Sequence, residues 1–203
     1  MRSETLIAGG IFALGLAVLG GWALSQSAGT AMAQAVDGPG PNLVIEVAGE
    51  ANGKIVIDML PDVAPKNVAQ IVALAKRGAY DGVVFHRVID GFMAQTGDVQ
   101  YGKASGDTAR AGMGGSDLPD LPAEFSDISF ERGVVGMARS QNPNSANSQF
   151  FIMFAPGAFL DGQYTVVGRV VEGMGVLDAI KRGQGGNGEV TGPDKMVTVT
   201  VAD

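Results

Sequence analysis

Short β-rich runs recur along this chain, and few architectures can bury them all. NLVIEV (42–47) and KIVIDML (54–60) are separated by turn residues at Gly49, Asn52 and Gly53, which predicts two joined strands. VVFHRVI (83–89) and FMAQT (92–96) flank the turn Asp90-Gly91. GVVGMA (133–138), QFFIMF (149–154), YTVVGRVV (164–171) and KMVTVTVA (195–202) follow. Only two stretches carry helical character. PKNVAQIVALAKRGAY places apolar residues at 68, 71, 72 and 75, with Pro65 near its first turn and Gly78 past its end. EGMGVLDAIKRG forms the second, over about 172–183. Many short strands with two helices predict a mainly β fold, a closed or strongly curled antiparallel sheet capped by helices. Residues 97–122 have no sustained period and hold six glycines, so they read as a long surface loop of functional or mobile character.

Composition removes several function classes. A hydrophobic content of 46% against 17% charged residues supports a packed core. The net charge of −7 argues against a nucleic-acid surface, which needs clustered Lys and Arg. With no cysteine, disulfides, thiolate catalysis and cysteine-ligated zinc are excluded. A single histidine, His86, argues against a histidine-based metal site, so neither metal nor cofactor is expected.

The N-terminus carries an address. Arg2 precedes an uncharged run from Leu6 to Leu24, and small residues at Ala31 and Ala33 flank Met32. Charge, apolar run and A-x-A in that order predict a secretory signal over 1–33, cleaved after Ala33. The same 19-residue run, 6–24, is also just long enough to span a bilayer as an uncleaved anchor. On either reading the body is exported, and in a Gram-negative cell it resides in the periplasm, free or tethered to the inner membrane. Residues 34–41, with Gly38, Pro39, Gly40 and Pro41, read as a linker into a domain at 42–203.

Two motif matches carry little. GQGGNG (183–188) fits G-x-G-x-x-G but follows a helix, with no βαβ unit around it, and reads as a glycine cap and loop. A Ser-His-Asp triad lacks any G-x-S-x-G elbow.

The informative blocks are VVFHRVIDGFMAQTGD, PAEFSD, RGVVGMAR, NSANSQFFIMF and FLDGQYTVVGRVVEGM, in that order. Together they make the chain, from about Leu43 to its C-terminus, resemble the cyclophilin family of peptidyl-prolyl cis-trans isomerases in its bacterial exported form. The resemblance implies an eight-stranded antiparallel β-barrel closed by two helices, with a proline-binding groove on its outer surface. It implies that Arg87 is the catalytic cation. It further implies that Phe92, Met93, Phe151, Phe159 and Leu160 line the proline pocket, that Gln95 and Gln149 are polar groove residues, and that Ala138 and Arg139 hold the peptide through backbone atoms. Three positions depart from the best-known eukaryotic pattern: Arg139 for asparagine, Phe159 for tryptophan and Tyr164 for histidine. The pocket stays aromatic, so activity should survive while substrate and inhibitor preferences shift. Proline-containing peptides and folding proteins are the expected partners, and a monomer is the expected state.

The residue types suit that chemistry. Rotation about a peptide bond meets a barrier of ~18–20 kcal/mol from amide resonance. Before proline both isomers are populated and exchange slowly. No bond breaks, so a catalyst need only favour the twisted state, in which the prolyl nitrogen gains a lone pair. A permanent donor aimed at that nitrogen acts selectively on the twist. Arginine is always charged and carries rigidly placed N–H donors. His86 and Arg87 are strand neighbours and should face opposite sides, which favours Arg87 and leaves His86 a packing role. Taken singly, Phe92, Met93 and Phe151 would be core residues, and the glutamines surface ones. A proline-binding chaperone or scaffold without turnover is the alternative function. A sugar- or lipid-binding barrel would need an interior cavity, against which the bulky Val, Ile and Phe of the strands argue.

Overall fold

β1 (Asn42–Ala48) and β2 (Gly53–Met59) form the hairpin that their alternating sequences predict, with Leu43 opposite Ile57 and Ile45 opposite Ile55. The computed structural model describes residues 36–202. After β2 come α1 (Pro65–Lys76), β3 (Arg87–Ile89), β4 (Met93–Thr96), β5 (Val134–Met137) and β6 (Phe150–Met153). A short 3-10 turn (Ala158–Leu160), β7 (Val166–Glu172), α2 (Met174–Ala179) and β8 (Lys195–Ala202) complete the order. The eight strands make one antiparallel sheet in the order β3-β4-β6-β5-β7-β2-β1-β8.

The sheet curls, but its ladder does not close, which corrects the expected closed barrel. β3 and β8 remain its two edges. The expected strand over 83–89 shortens to 87–89, and its first half spans the gap through one isolated bridge, Val84 to Lys195. Phe85 N donates to Asp194 O at 2.9 Å and Met196 N to Val83 O at 2.8 Å. The ladder stops there because the chain beyond Phe85 pairs with another segment: Val190 N donates to His86 O, Val88 N to Gly188 O and Gly183 N to Val88 O. On its other side Val84 N donates to Gly102 O, and the buried Asp194 carboxylate accepts from the backbone N–H groups of Glu50, Ala51 and Lys181.

Burial divides into two layers. Leu43, Ile45, Ile55, Ile57, Val88, Ala94, Val135, Phe150, Ile152 and Val167 fill the concave interior, which α1 seals with Val68, Ile71 and Leu74. A smaller cluster of Met93, Phe130, Val134, Phe151, Met153, Leu160 and Val166 covers the opposite face of β4, β5 and β6. β5 and β6 are therefore buried at every position instead of alternating in and out. Phe150 and Phe151 point to different layers, as strand periodicity requires.

α1 begins at Pro65, but its orphan N–H groups are satisfied from a distance. Glu124 accepts Lys66 N at 3.2 Å, Asn67 N at 3.0 Å and Asn67 Nδ2 at 2.7 Å. α2 is shorter than the expected 172–183, because Gly173 enters it in the left-handed region and Ile180 leaves helical geometry. The expected linker is held against the barrel: Gly38 N donates to Asp58 Oδ2, Met59 N to Pro41 O, and Arg169 Nη2 to Val36 O. Asp58 is buried and bridged to Arg169 at 3.1 Å. The expected signal or anchor over 1–33 lies outside the described residues.

Gly136 in β5 has no spare space, since a Cβ there would meet Phe130 Cε1 and Phe151 Cζ at 2.6 Å. Those two rings stack at 5.7 Å, and the stack supports the outer layer. Gly136→Ala is expected to destabilise the fold by about 1–3 kcal/mol, the usual cost of overpacking. Urea unfolding measures it, and an unchanged midpoint would mean the stack is not needed.

Candidate active site

One cross-strand row builds the site. Arg87 on β3 lies opposite Gln95 on β4, Gln95 opposite Phe151 on β6, and Phe151 opposite Gly136 on β5. Paired residues share a face, so all four project outward. Two residues along, Ile89, Met93 and Met153 form a parallel row on the same face.

These rows floor a cavity of about 280 Å³. It is lined by Arg87, Phe92, Met93, Gln95, Ala138, Arg139, Phe151, Phe159, Leu160 and Tyr164. The structure thus brings together every candidate residue except Gln149 around one hollow. Gln149 lines an adjoining cavity of about 370 Å³, with Gly112–Gly115, Ser145 and Asn147. Gln95, Ala138 and Arg139 line both. Phe159 sits on the 3-10 turn, 65% exposed, with its ring 5.4 Å from Phe92, and so forms a rim, while Leu160 beside it is buried. Tyr164 meets Phe151 edge-on at 5.8 Å. Ala138 N is bonded to Gln149 O at 2.9 Å.

A chain of amides fixes the cation. Arg87 Nη1 donates to Gln95 Oε1 at 3.1 Å, and its Nε to Asn187 O at 3.0 Å. Gln95 Nε2 donates to Gln149 Oε1 at 3.0 Å. Gln149 Nε2 donates to Gly112 O at 3.0 Å and Gly114 O at 2.8 Å. Partial burial pushes the Arg87 pKa below its ordinary value, with nearby Tyr164 opposing, and a guanidinium stays cationic at neutral pH.

The far end of the chain rests on Asp98, which sequence reasoning missed. Its side chain is buried, has no ion-pair partner among the described residues and accepts four backbone N–H groups. Oδ1 takes Gln100 N and Tyr101 N at 3.0 and 2.8 Å, and Oδ2 takes Gly112 N and Gly114 N at 2.7 and 2.9 Å. Asn147 adds bonds to Ser116 N, Ser116 Oγ and Leu118 O. The loop at 97–122 is thereby tied down. The available signal was an Asp placed just after a strand and before a glycine-rich stretch, the setting of an Asx turn.

His86 lines a different cavity from Arg87, with Thr108, Ala111 and Glu189. Its ring lies under Gly112, where a Cβ would sit 3.0 Å from Cδ2 and Nε2. Gly112 also has φ +97°, so glycine is required there twice over. Neither ring nitrogen of His86 has a hydrogen-bond partner among the described residues, so the imidazole is held by packing, while the backbone carbonyl accepts Val190 N.

The family model described as cyclophilin type peptidyl-prolyl cis-trans isomerase/CLD matches residues 43–201. The chain belongs to the cyclophilin-type peptidyl-prolyl cis-trans isomerases. A probable peptidyl-prolyl cis-trans isomerase of Brucella suis is 61% identical over 153 residues, covering 74% of this chain and 78% of that protein. A peptidyl-prolyl cis-trans isomerase of Schizosaccharomyces pombe is 41% identical over 124 residues, covering 61% and 76%. Among solved structures, a cyclophilin from Hirschia baltica aligns with TM-score 0.67 at 27% identity, over 81% of this chain and 74% of that one. A cyclophilin-type isomerase of Cryptosporidium parvum, crystallised in the presence of the dipeptide Ala-Pro, aligns with TM-score 0.68 at 23% identity over 80% and 99%. The chain is thus an isomerase of peptide bonds that precede proline, and its outward groove is the candidate site.

Burial, the largest influence on His86, pushes its pKa down, and the Asp98 charge opposes this without reversing it. A folded-state pKa below the unfolded value keeps the imidazole neutral at physiological pH. The associated stability is present above the unfolded pKa and is lost as pH falls toward the folded one. Isomerase kcat/KM is therefore expected to be flat from about pH 6 to 8. A bell-shaped profile in that window would make His86 a participant.

Proposed function

We propose that this cyclophilin isomerises X-Pro bonds with Arg87 as the donor to the prolyl nitrogen, acting on proline-containing segments of exported proteins as they fold. The observation that carries the assignment is the position of the Arg87 guanidinium. It is held by Gln95 and Asn187 at the wall of an apolar hollow of about 280 Å³. Phe92, Met93, Phe151, Leu160 and Tyr164 offer the proline ring an apolar seat. Groups flanking the ring can then swing while the ring stays fixed. In the planar amide the nitrogen lone pair is delocalised and accepts hydrogen bonds poorly. In the twisted amide it is localised, and a cationic donor meets it at full strength. The interaction is stronger in the twisted state than in either planar isomer, which is the condition for acceleration. Gln95 prevents the guanidinium from swinging away, so little ordering is left for the moment of rotation.

Arg87→Ala is expected to lower kcat/KM on a short X-Pro peptide at least ~10-fold, since a transition-state donor is worth a few kcal/mol. Circular dichroism and the melting temperature should stay close to wild type, because Arg87 lies outside both buried layers. Full activity in a folded Arg87→Ala protein would remove the mechanism.

The export reading rests on Arg2, the apolar run 6–24 and Ala31-Met32-Ala33. We place the domain in the periplasm, free after cleavage or held to the inner membrane by 6–24. Expression in a Gram-negative host followed by mass spectrometry is expected to find an N-terminus at Gln34 in the soluble periplasmic fraction. Full-length chain that resists carbonate extraction would establish the anchor, and full-length chain in the cytosol would end the export reading.

A further inference from the structure

The arginines of this chain divide by what they bond. Among the described residues there are seven, and four are paired with carboxylates: Arg77 with Asp117, Arg132 with Asp178, Arg169 with Asp58 and Arg182 with Asp90. The other three have no carboxylate partner among the described residues, although Asp and Glu total 21 against 14 Lys and Arg. Two of them are Arg87 and Arg139, which line the candidate proline pocket. The third, Arg110, lies on the loop that walls the adjoining cavity and stacks on Tyr101 with its carbon 4.0 Å from the ring centre.

Arg139 is the informative member. Its guanidinium carbon stands 4.3 Å from the centre of the Tyr164 ring. Its Nη1 donates to Ser140 O and its Nη2 to Gln163 O, both at 2.9 Å. Stacking and two carbonyls hold the side chain in place and leave its charge uncompensated. It lines both cavities, so a peptide with proline in one and a flanking residue in the other passes beside it. An extended chain advances about 3.3 Å per residue, which keeps residues within two of the proline near this cation. One carboxylate, Asp120, also lines the second cavity, where Asn147 Nδ2 bonds it at 2.9 Å. The net charge of −7 belongs to the whole chain, and exposed charges more than a Debye length of about 8 Å from the groove are largely screened in physiological salt. The fixed local cations therefore set the field in the groove.

We propose that the groove prefers proline segments with an acidic side chain within two residues of the proline, and that Arg139 is the residue that sets this preference. The inference rests on the groove being the isomerase site.

Exchange NMR on short peptides tests it, with Glu, Gln or Lys placed in turn at each of the two positions on either side of one proline. At one or more positions the Glu peptide should exceed the Lys peptide in kcat/KM by roughly five- to tenfold, with Gln between, as a partly exposed ion pair replaced by like charges implies. Arg139→Gln should bring that ratio within about twofold of unity, while Arg139→Lys, which keeps the charge, should retain it. In the wild type about 1 M NaCl should compress the ratio, a reading that needs no variant. Equal rates for Glu and Lys at all four positions would overturn the proposal. So would a preference that survives in Arg139→Gln or in high salt. The Gln peptides separate the two levels of failure. If they are turned over and Arg87→Ala slows them, the site stands and only the charge preference is at stake. If Arg87→Ala leaves them unchanged, the site reading itself fails.

Discussion

The pairing of Arg87 with Gln95 across adjacent strands is the constraint on which the groove depends. Arg87 has 3-residue β3 beneath it and stands at the edge of the sheet, where only one isolated bridge to Glu189 and the Asn187 carbonyl flank its outer side. A long side chain in that position would sample many rotamers, and ordering it at each encounter would cost conformational entropy. The bond to Gln95 removes that cost in advance. Gln95 in turn is held by Gln149, and Gln149 by the carbonyls of Gly112 and Gly114. A catalyst that breaks no bonds has only placement to offer, so this restraint is the centre of the design.

The restraint ends on a buried charge. Asp98 gathers four backbone N–H groups from one loop, and Glu124 does comparable work at the start of α1. Burial pushes the Glu124 carboxyl up, but the Asn67 side chain and the backbone N–H groups of Asn67 and Lys66 outweigh it and hold the pKa below the usual range. Such a group stabilises the fold above its unfolded pKa, and the contribution fades as pH falls through the folded one. Both carboxylates replace secondary structure: where the chain has no ladder, they supply the acceptors its N–H groups need.

The two-layer burial explains why an outward-facing pocket can be apolar in a chain with 17% charged residues. A curled sheet with one core exposes its convex face to water, and that face would ordinarily alternate toward polar residues. Here the segments around Phe130, the 3-10 turn and Tyr164 fold over β4, β5 and β6 and make the convex face a second interior. The proline pocket is the part of that layer left uncovered, with Phe159 at its rim. Gly136 is the point where the two Phe rings of this layer need the room that any side chain would take.

Local pattern alone determined much of this protein. β-rich runs between turn residues announced all eight strands, and strand alternation put Phe150 and Phe151 on opposite faces and separated His86 from Arg87, because alternation is a property of the backbone itself. Helical spacing and Pro65 located α1 for the same kind of reason. The ordered set of motif blocks named the family and the groove residues. Three things were left to the tertiary structure. The barrel ladder stays open at β3 and β8, because residues 86–88 pair with the distant segment 183–190 instead of with β8, and no local pattern carries a competition between distant partners. The loop at 97–122 is tied by Asp98, Asn147 and Gln149, whose partners lie up to 37 residues away along the chain. Arg139, expected to act through its backbone, also carries its side chain to the wall of both cavities. Charge type is written in the sequence, but whether a carboxylate stands beside it is decided only when the strands come together.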